Sequence, residues 1–200
     1  MKRPTRMIIA ALAAALATTP AAAQFSDSYK FLKAVKEADG AKVNEALDAP
    51  GTTIINTRDY ASGEGALHIV VKRRDMTWLA FLLAKGANPN VRDGAGNTPL
   101  ALAAQLGYAD GVQQLLERRA SVDLENSSGE TPLIIAVHNR DVPTARLLVA
   151  AGASPTRADR IAGKSARDYA TEDRRAAPIL KILDEAKTAK PSAKMSGPSL

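Results

Sequence analysis

The hydrophobic and glycine positions of this chain repeat every 33 residues. Leu67, Leu100 and Leu133 form one column at that interval, and Leu82, Leu115 and Leu148 form a second. Gly63, Gly96 and Gly129 share the same spacing, while Gly86 and Gly152 lie 66 apart with Arg119 midway. A fixed period of this size marks units that cannot bury an apolar face alone and so must stack.

Each unit carries the same internal pattern. In the segment 96–123, Thr98 suits the cap of a first helix and Pro99 its first turn. Leu100, Ala103 and Ala104 then share one face at helical spacing. Gly107 ends that helix, and Val112, Leu115 and Leu116 form the stripe of a second, antiparallel one. The small alanines allow neighbouring helices to approach closely. A polar turn, Asn126-Ser127-Ser128-Gly129, opens the next unit.

The ends depart from this pattern, as terminal units with one polar face should. Tyr29 to Leu47 reads as an N-terminal helix pair, with Phe31, Ala34 and Val35 facing Val43, Ala46 and Leu47. The connection from Asp48 to Ala61 is longer than its counterparts, with an insertion near Pro50-Gly51-Thr52-Thr53. At the other end Arg167 stands where the leucine column would place a leucine. Tyr169, Ala170, Ile179, Ile182 and Leu183 finish a C-terminal cap.

Thr98-Pro99-Leu100 and Thr131-Pro132-Leu133 resemble the T-P-L-H-x-A core of ankyrin repeats, and Ala66-Leu67-His68 is a degenerate copy that keeps the histidine. Gly86-Ala87-Asn88-Pro89-Asn90 resembles the G-A-D-x-N close of the same family. Gly152-Ala153-Ser154-Pro155 does so more loosely. The resemblance covers residues 29–185. It implies an all-α fold, a curved solenoid of stacked helix–turn–helix units with β-hairpin-like loops. The expected organisation is a leader (1–23), an ankyrin-repeat domain (24–186) and a disordered tail (187–200). The domain divides into an N-terminal cap (29–61), three central units (62–94, 95–127, 128–160) and a C-terminal cap (161–186).

The leader reading rests on residues 1–23. Lys2, Arg3 and Arg6 precede an apolar run from Met7 to Ala17, and Ala21-x-Ala23 supplies a small-x-small cleavage pattern before Gln24. The run is short for a membrane span, which takes about 20 apolar residues. The expectation is therefore export by a cleavable signal peptide to the periplasm, with secretion as the alternative and no stable membrane insertion afterwards.

Composition then removes several functions. The net charge of +6 looks like a hint of nucleic-acid binding. Lys2, Arg3 and Arg6 belong to the leader, and Lys187, Lys190 and Lys194 to the tail, which leaves the folded part about neutral. No cation cluster stands out to neutralise several phosphates. The chain has no cysteine, which excludes disulfides, thiolate metal sites and a cysteine nucleophile. Aromatic residues make up 4%, so the core must be mostly Ala, Leu and Val.

Catalytic chemistry finds no constellation. The chain has two histidines, His68 and His138, a full repeat or more apart. The resemblance implies a structural hydrogen-bonding role for His68, and no zinc-protease, nucleophile-elbow, phosphate-loop or dinucleotide motif is present. No catalytic residue, metal site or cofactor is expected. Trp78 falls on the apolar stripe of a second helix, where a core role competes with a partner anchor. Gly111 and Thr144 hold its column in the next units and leave room for its ring.

The resemblance implies that partners meet the loop tips and the exposed flank of the first helices. By register the tip candidates are Arg58, Tyr60, Arg92, Asp93, Glu125 and Arg160, and the flank candidates are Arg73, Tyr108, His138 and Arg140. The function expected is a non-enzymatic, monomeric protein-interaction module whose partner is another protein. The alternatives are an immunity or inhibitor protein for an exported enzyme or toxin, and an envelope-associated accessory protein.

Overall fold

The structure, a computed structural model, describes residues 21–48 and 52–188. Its helices come in pairs. Helices α1 (Ala21–Lys36) and α2 (Gly40–Asp48) form the first pair, and a 3-10 turn at Ile54–Asn56 leads into the array. Three pairs of identical lengths follow: α3 (Ala66–Lys72) with α4 (Met76–Ala84), α5 (Pro99–Gln105) with α6 (Ala109–Glu117), and α7 (Pro132–His138) with α8 (Val142–Ala150). The last pair is α9 (Ala166–Glu172) and α10 (Ala177–Thr188), joined by a 3-10 turn at Arg174–Ala176.

Short helices of two turns are unstable alone, so their termini and their stacking must hold them. Thr98 and Thr131 cap α5 and α7 by accepting from the Ala101 and Ile134 N–H groups at 3.2 and 3.3 Å. Pro99 and Pro132 occupy the first helical positions, as the sequence pattern predicts. Asp75 and Asp141 do the same for α4 and α8, through the Trp78 and Thr144 N–H groups. In the C-terminal cap Ser165 and Asp168 cap each other reciprocally.

The first helices α1, α3, α5, α7 and α9 stack in one layer, and α4, α6, α8 and α10 in a second. Both leucine columns are buried between the layers. Phe31, Ala34, Val35 and Val43 close the N-terminal end, and Ile179, Ile182 and Leu183 the C-terminal end, as expected. Each buried leucine contributes on the order of 2 kcal/mol.

The glycine column has two causes. Gly63, Gly96 and Gly129 have φ of +69, +79 and +81, the left-handed region. The next loop also passes against them: a Cβ on Gly129 would lie 2.5 Å from the Arg160 nitrogen, and one on Gly63 2.5 Å from the Gly94 nitrogen. The close approach allows a backbone ladder between loops, in which Gly94, Ser127 and Arg160 donate to the carbonyls of Ser62, Ala95 and Ser128 at 2.8, 3.0 and 3.0 Å. A side-chain ladder runs parallel to it. Asn56, Asn90 and Asp123 accept from the Asn88, Ser121 and Ser154 N–H groups of the following unit.

Several details differ from expectation. The room beside Gly111 is filled by Tyr108 of the same unit, whose ring a Gly111 side chain would overlap, rather than by Trp78. Trp78 is half-buried, edge-on to Phe81 with ring centroids 5.6 Å apart. The loops are hairpin-like, as expected, with isolated antiparallel bridges at Arg58–Gly65 and Ala158–Ser165 among the described residues. Helix α10 runs to Thr188, two residues past the expected domain boundary. Residues 1–20, most of the expected leader, lie outside the described residues, as do Pro50-Gly51 and the tail from 189. The expected cleavage before Gln24 falls in the first turn of α1.

Candidate partner-binding surface

One acidic or amide side chain shapes each hairpin loop. Asp59 Oδ1 accepts from the Ala61 and Ser62 N–H groups at 3.1 and 2.9 Å, and Asp93 Oδ1 from Ala95 and Asn97 at 2.9 and 2.8 Å. Asn126 repeats this with Ser128 and Glu130, and Asp159 with Ile161 and Ala162. A side-chain oxygen folded back onto its own loop is what fixes such turns. Backbone donation from Ser62 holds the Asp59 carboxyl below the usual range. Asp159 is also held low, chiefly by the Tyr169 hydroxyl that donates to Oδ2 at 2.6 Å. The same bond pushes the Tyr169 phenol up to about 12.

The arginines of the tips tie one loop to the next. Arg58 Nη1 donates to the Arg92 carbonyl at 2.8 Å, and Arg92 donates to the carbonyls of Gly96 and Glu125. Glu125 receives Arg157 on one carboxylate oxygen at 3.2 Å and Arg160 on the other at 3.1 Å. At the far ends of the first helices, side chains from one unit meet carbonyls of another. Arg73 donates to the Val35 and Lys36 carbonyls at the end of α1, and Asn139 to Ala104 and Gln105 in α5. Arg140 pairs with Asp173 at 2.7 Å.

The loops and the first-helix ends enclose a shallow groove. Glu64 pairs with Lys72, Lys164 with Glu172 at 2.8 Å, and His138 Nε2 lies 3.8 Å from Glu130. The His138 ring packs on Tyr169 with centroids 4.3 Å apart. A recess of about 390 Å³ is lined by Asn97, Gln105, Asn126, Glu130, Ile135, His138 and Asn139. His68 lies beneath this surface, fully buried. Its Nδ1 accepts from the Gly65 N–H at 3.2 Å and its Nε2 meets the Asn97 carbonyl at 2.9 Å, bridging two units. Burial lowers its pKa, so the ring is neutral with the proton on Nε2.

The sequence that builds these stacked units, with their threonine-proline caps and bridging histidine, matches the family model for ankyrin repeats over residues 21–126 and 67–159. The chain belongs to the ankyrin-repeat family. It is 34% identical over 103 residues to human transient receptor potential cation channel subfamily A member 1, covering 51% of this chain and 9% of that protein. An ankyrin repeat-containing protein of Treponema pallidum is 31% identical over 141 residues, 70% of this chain and 46% of its own length. The SMC5-SMC6 complex localization factor protein 1 of Bos taurus is 35% identical over 132 residues, 65% of this chain and 12% of its own. The chain thus spans less than half the length of each of these relatives. Ankyrin repeats mediate binding to other proteins.

Within the ankyrin array the ten candidates fall into distinct settings. Tyr60 stands at a loop tip, 93% exposed. Arg58, Arg92, Glu125 and Arg160 are also at the tips, and each carries an inter-loop bond. Arg73 and Arg140 hold neighbouring helix ends, Asp93 shapes its own loop, and His138 borders the groove. Tyr108 does not stand on the exposed flank. It precedes α6, and its ring turns inward onto the bare backbone of Gly111, leaving 8% exposed. Its hydroxyl is buried without a hydrogen-bond partner, and burial raises its pKa. Sequence reasoning missed Ile161, 80% exposed at the last tip, because an apolar residue beside a degenerate cap reads as core.

No described helix is long and apolar enough to cross a membrane. Among the described residues no group of three or more His, Cys, Asp or Glu is placed to hold a metal ion.

Proposed function

We propose that this chain is a non-enzymatic scaffold of the periplasm that holds another protein along its hairpin tips. The observation that carries this reading is the placement of Tyr60 and Ile161. They are two of the three exposed large apolar side chains among the described residues, and both sit at loop tips, on the first and last hairpins. Exposed aromatic and aliphatic side chains at the edge of a stapled frame are suited to anchor a partner. The periplasmic setting is supported by the basic, apolar and small-residue order of the first 23 residues.

The test is capture from periplasmic extract by the full chain and by a Tyr60→Ser/Ile161→Ser double variant. The expected result is one protein recovered by the natural sequence and lost by the variant at unchanged melting temperature. Recovery of nothing specific, with hydrolytic activity in the purified protein, would contradict it. Fractionation of cells carrying the chain with and without residues 1–23 checks the location: the first should be periplasmic and the second cytoplasmic.

A further inference from the structure

We infer that the hairpin tips accept an extended acidic segment of the partner, gripped at its two ends by apolar contacts with Tyr60 and Ile161. The inference rests on the reading of the tips as the binding edge and adds its chemistry. The hairpins carry five cations (Arg58, Arg92, Arg157, Arg160, Lys164) against six carboxylates (Asp59, Glu64, Asp93, Glu125, Glu130, Asp159), with Glu64 and Lys164 paired to Lys72 and Glu172 of the first helices. The two signs point in different directions. Asp59, Asp93 and Asp159 turn inward onto the N–H groups of their own loops. All four arginines are exposed.

How the arginines are held matters as much as where they point. Arg58 and Arg92 are fixed by backbone carbonyls, which orient a guanidinium without neutralising it. A guanidinium has five N–H donors, so one or two carbonyl bonds leave a face for a carboxylate. Arg157 and Arg160 share the single carboxylate of Glu125. A partner approaching the tips therefore meets pre-oriented cations first, with the acids beneath.

The layout also argues for the shape of the ligand. Gly94-Ala95 and Ser127-Ser128 occupy the middle tips, a floor of small residues between Tyr60 and Ile161. Units stacked at helix-packing distance put about 30 Å between the outer tips. An extended peptide covers that with about nine residues. With no excess of cations, the hairpins disfavour duplex nucleic acid or an anionic membrane, whose binding depends on net charge.

The experiment is fluorescence anisotropy with the full chain and a labelled peptide of about nine residues, leucine at both ends and alternating glutamate and serine between. A lysine-for-glutamate peptide, a DNA duplex of matching length and vesicles of anionic phospholipid serve as competitors. The acidic peptide should bind saturably, and the lysine peptide should not. Raising salt from about 50 to about 500 mM should weaken binding on the order of tenfold. Y60S and I161S should each weaken it by about threefold to tenfold at unchanged stability. No saturable binding of the acidic peptide, equal binding of the lysine peptide, preference for DNA or vesicles, or indifference to both substitutions would each overturn the inference. The capture experiment separates the two levels. A partner lost by the double variant whose contacting segment is basic or neutral refutes the acidic chemistry alone. A partner kept by that variant refutes the binding edge as well.

Discussion

Substituting alanine at Gly129 and at Gly152 separates the two physical reasons for glycine in this array. Both residues lie in the left-handed region, with φ of +81 and +89. Gly152 has nothing within 4 Å of where a Cβ would stand, so Gly152→Ala carries only the conformational penalty of about 1 kcal/mol. At Gly129 the new methyl would lie 2.5 Å from the Arg160 nitrogen, which is backbone and cannot swing aside. The loops must part, and the Arg160 N–H to Ser128 carbonyl bond of 3.0 Å goes with them. Loss of that bond and of the loop contact adds about 2 kcal/mol, for a total of about 3 kcal/mol. In a chain of this size that corresponds to melting temperatures lower by roughly 3 °C for Gly152→Ala and roughly 9 °C for Gly129→Ala. Arg119 occupies the column of Gly86 and Gly152 with φ of +62 and is exposed. Arg119→Gly should therefore be neutral to stabilising, by up to about 1 kcal/mol. Urea unfolding followed by circular dichroism measures all three. Equal losses at Gly129 and Gly152 would refute the role assigned to loop contact, and a destabilising Arg119→Gly would refute the strain argument.

Three further outcomes follow from Tyr108, His68 and Tyr169. Tyr108→Phe removes a buried hydroxyl that lacks a partner, so urea unfolding should show unchanged or higher stability, by up to about 1 kcal/mol; a loss above that would show a hidden bond. His68 is held neutral by burial, its pKa below the ordinary 6.5. The unfolded chain takes up that proton first, so stability should fall as pH drops below about 6.5. In His68→Gln that slope should vanish from a pH series of melting curves, on a lower baseline. Tyr169 titrates near 12 because its hydroxyl donates to Asp159. The stability from the raised value is present below about 10 and lost as pH rises through about 12. Ultraviolet titration should find a tyrosine ionising near 12 that is absent in Asp159→Asn.

Much of the frame was legible in the sequence because its causes are local or periodic. Thr98-Pro99 announces a capped helix whatever surrounds it, and a leucine every 33 residues requires a stack. The motif assigns His68 a structural role, and the structure shows how it is carried out: Nδ1 accepts from the Gly65 N–H at the start of α3, and Nε2 meets the Asn97 carbonyl of the next unit. The surface was harder to read, because exposure there depends on pairings across units. Arg73 reads as a free cation in sequence, yet its guanidinium ends on α1, 37 and 38 residues upstream. Tyr108 reads as a flank residue, yet the missing side chain at Gly111 draws its ring inward. Register places a residue on a face; the neighbouring unit decides whether its side chain stays there.

The central claim, that the hairpin tips hold a protein, is tested most directly by site-specific photo-crosslinking in cells carrying the full chain. A photoreactive residue is placed in turn at Tyr60, at Ile161 and at Lys181, whose exposed side chain lies on α10 away from the tips. The account predicts the same protein adduct from the two tip positions and none from Lys181. Adducts that form equally from Lys181, or from neither tip, would contradict it.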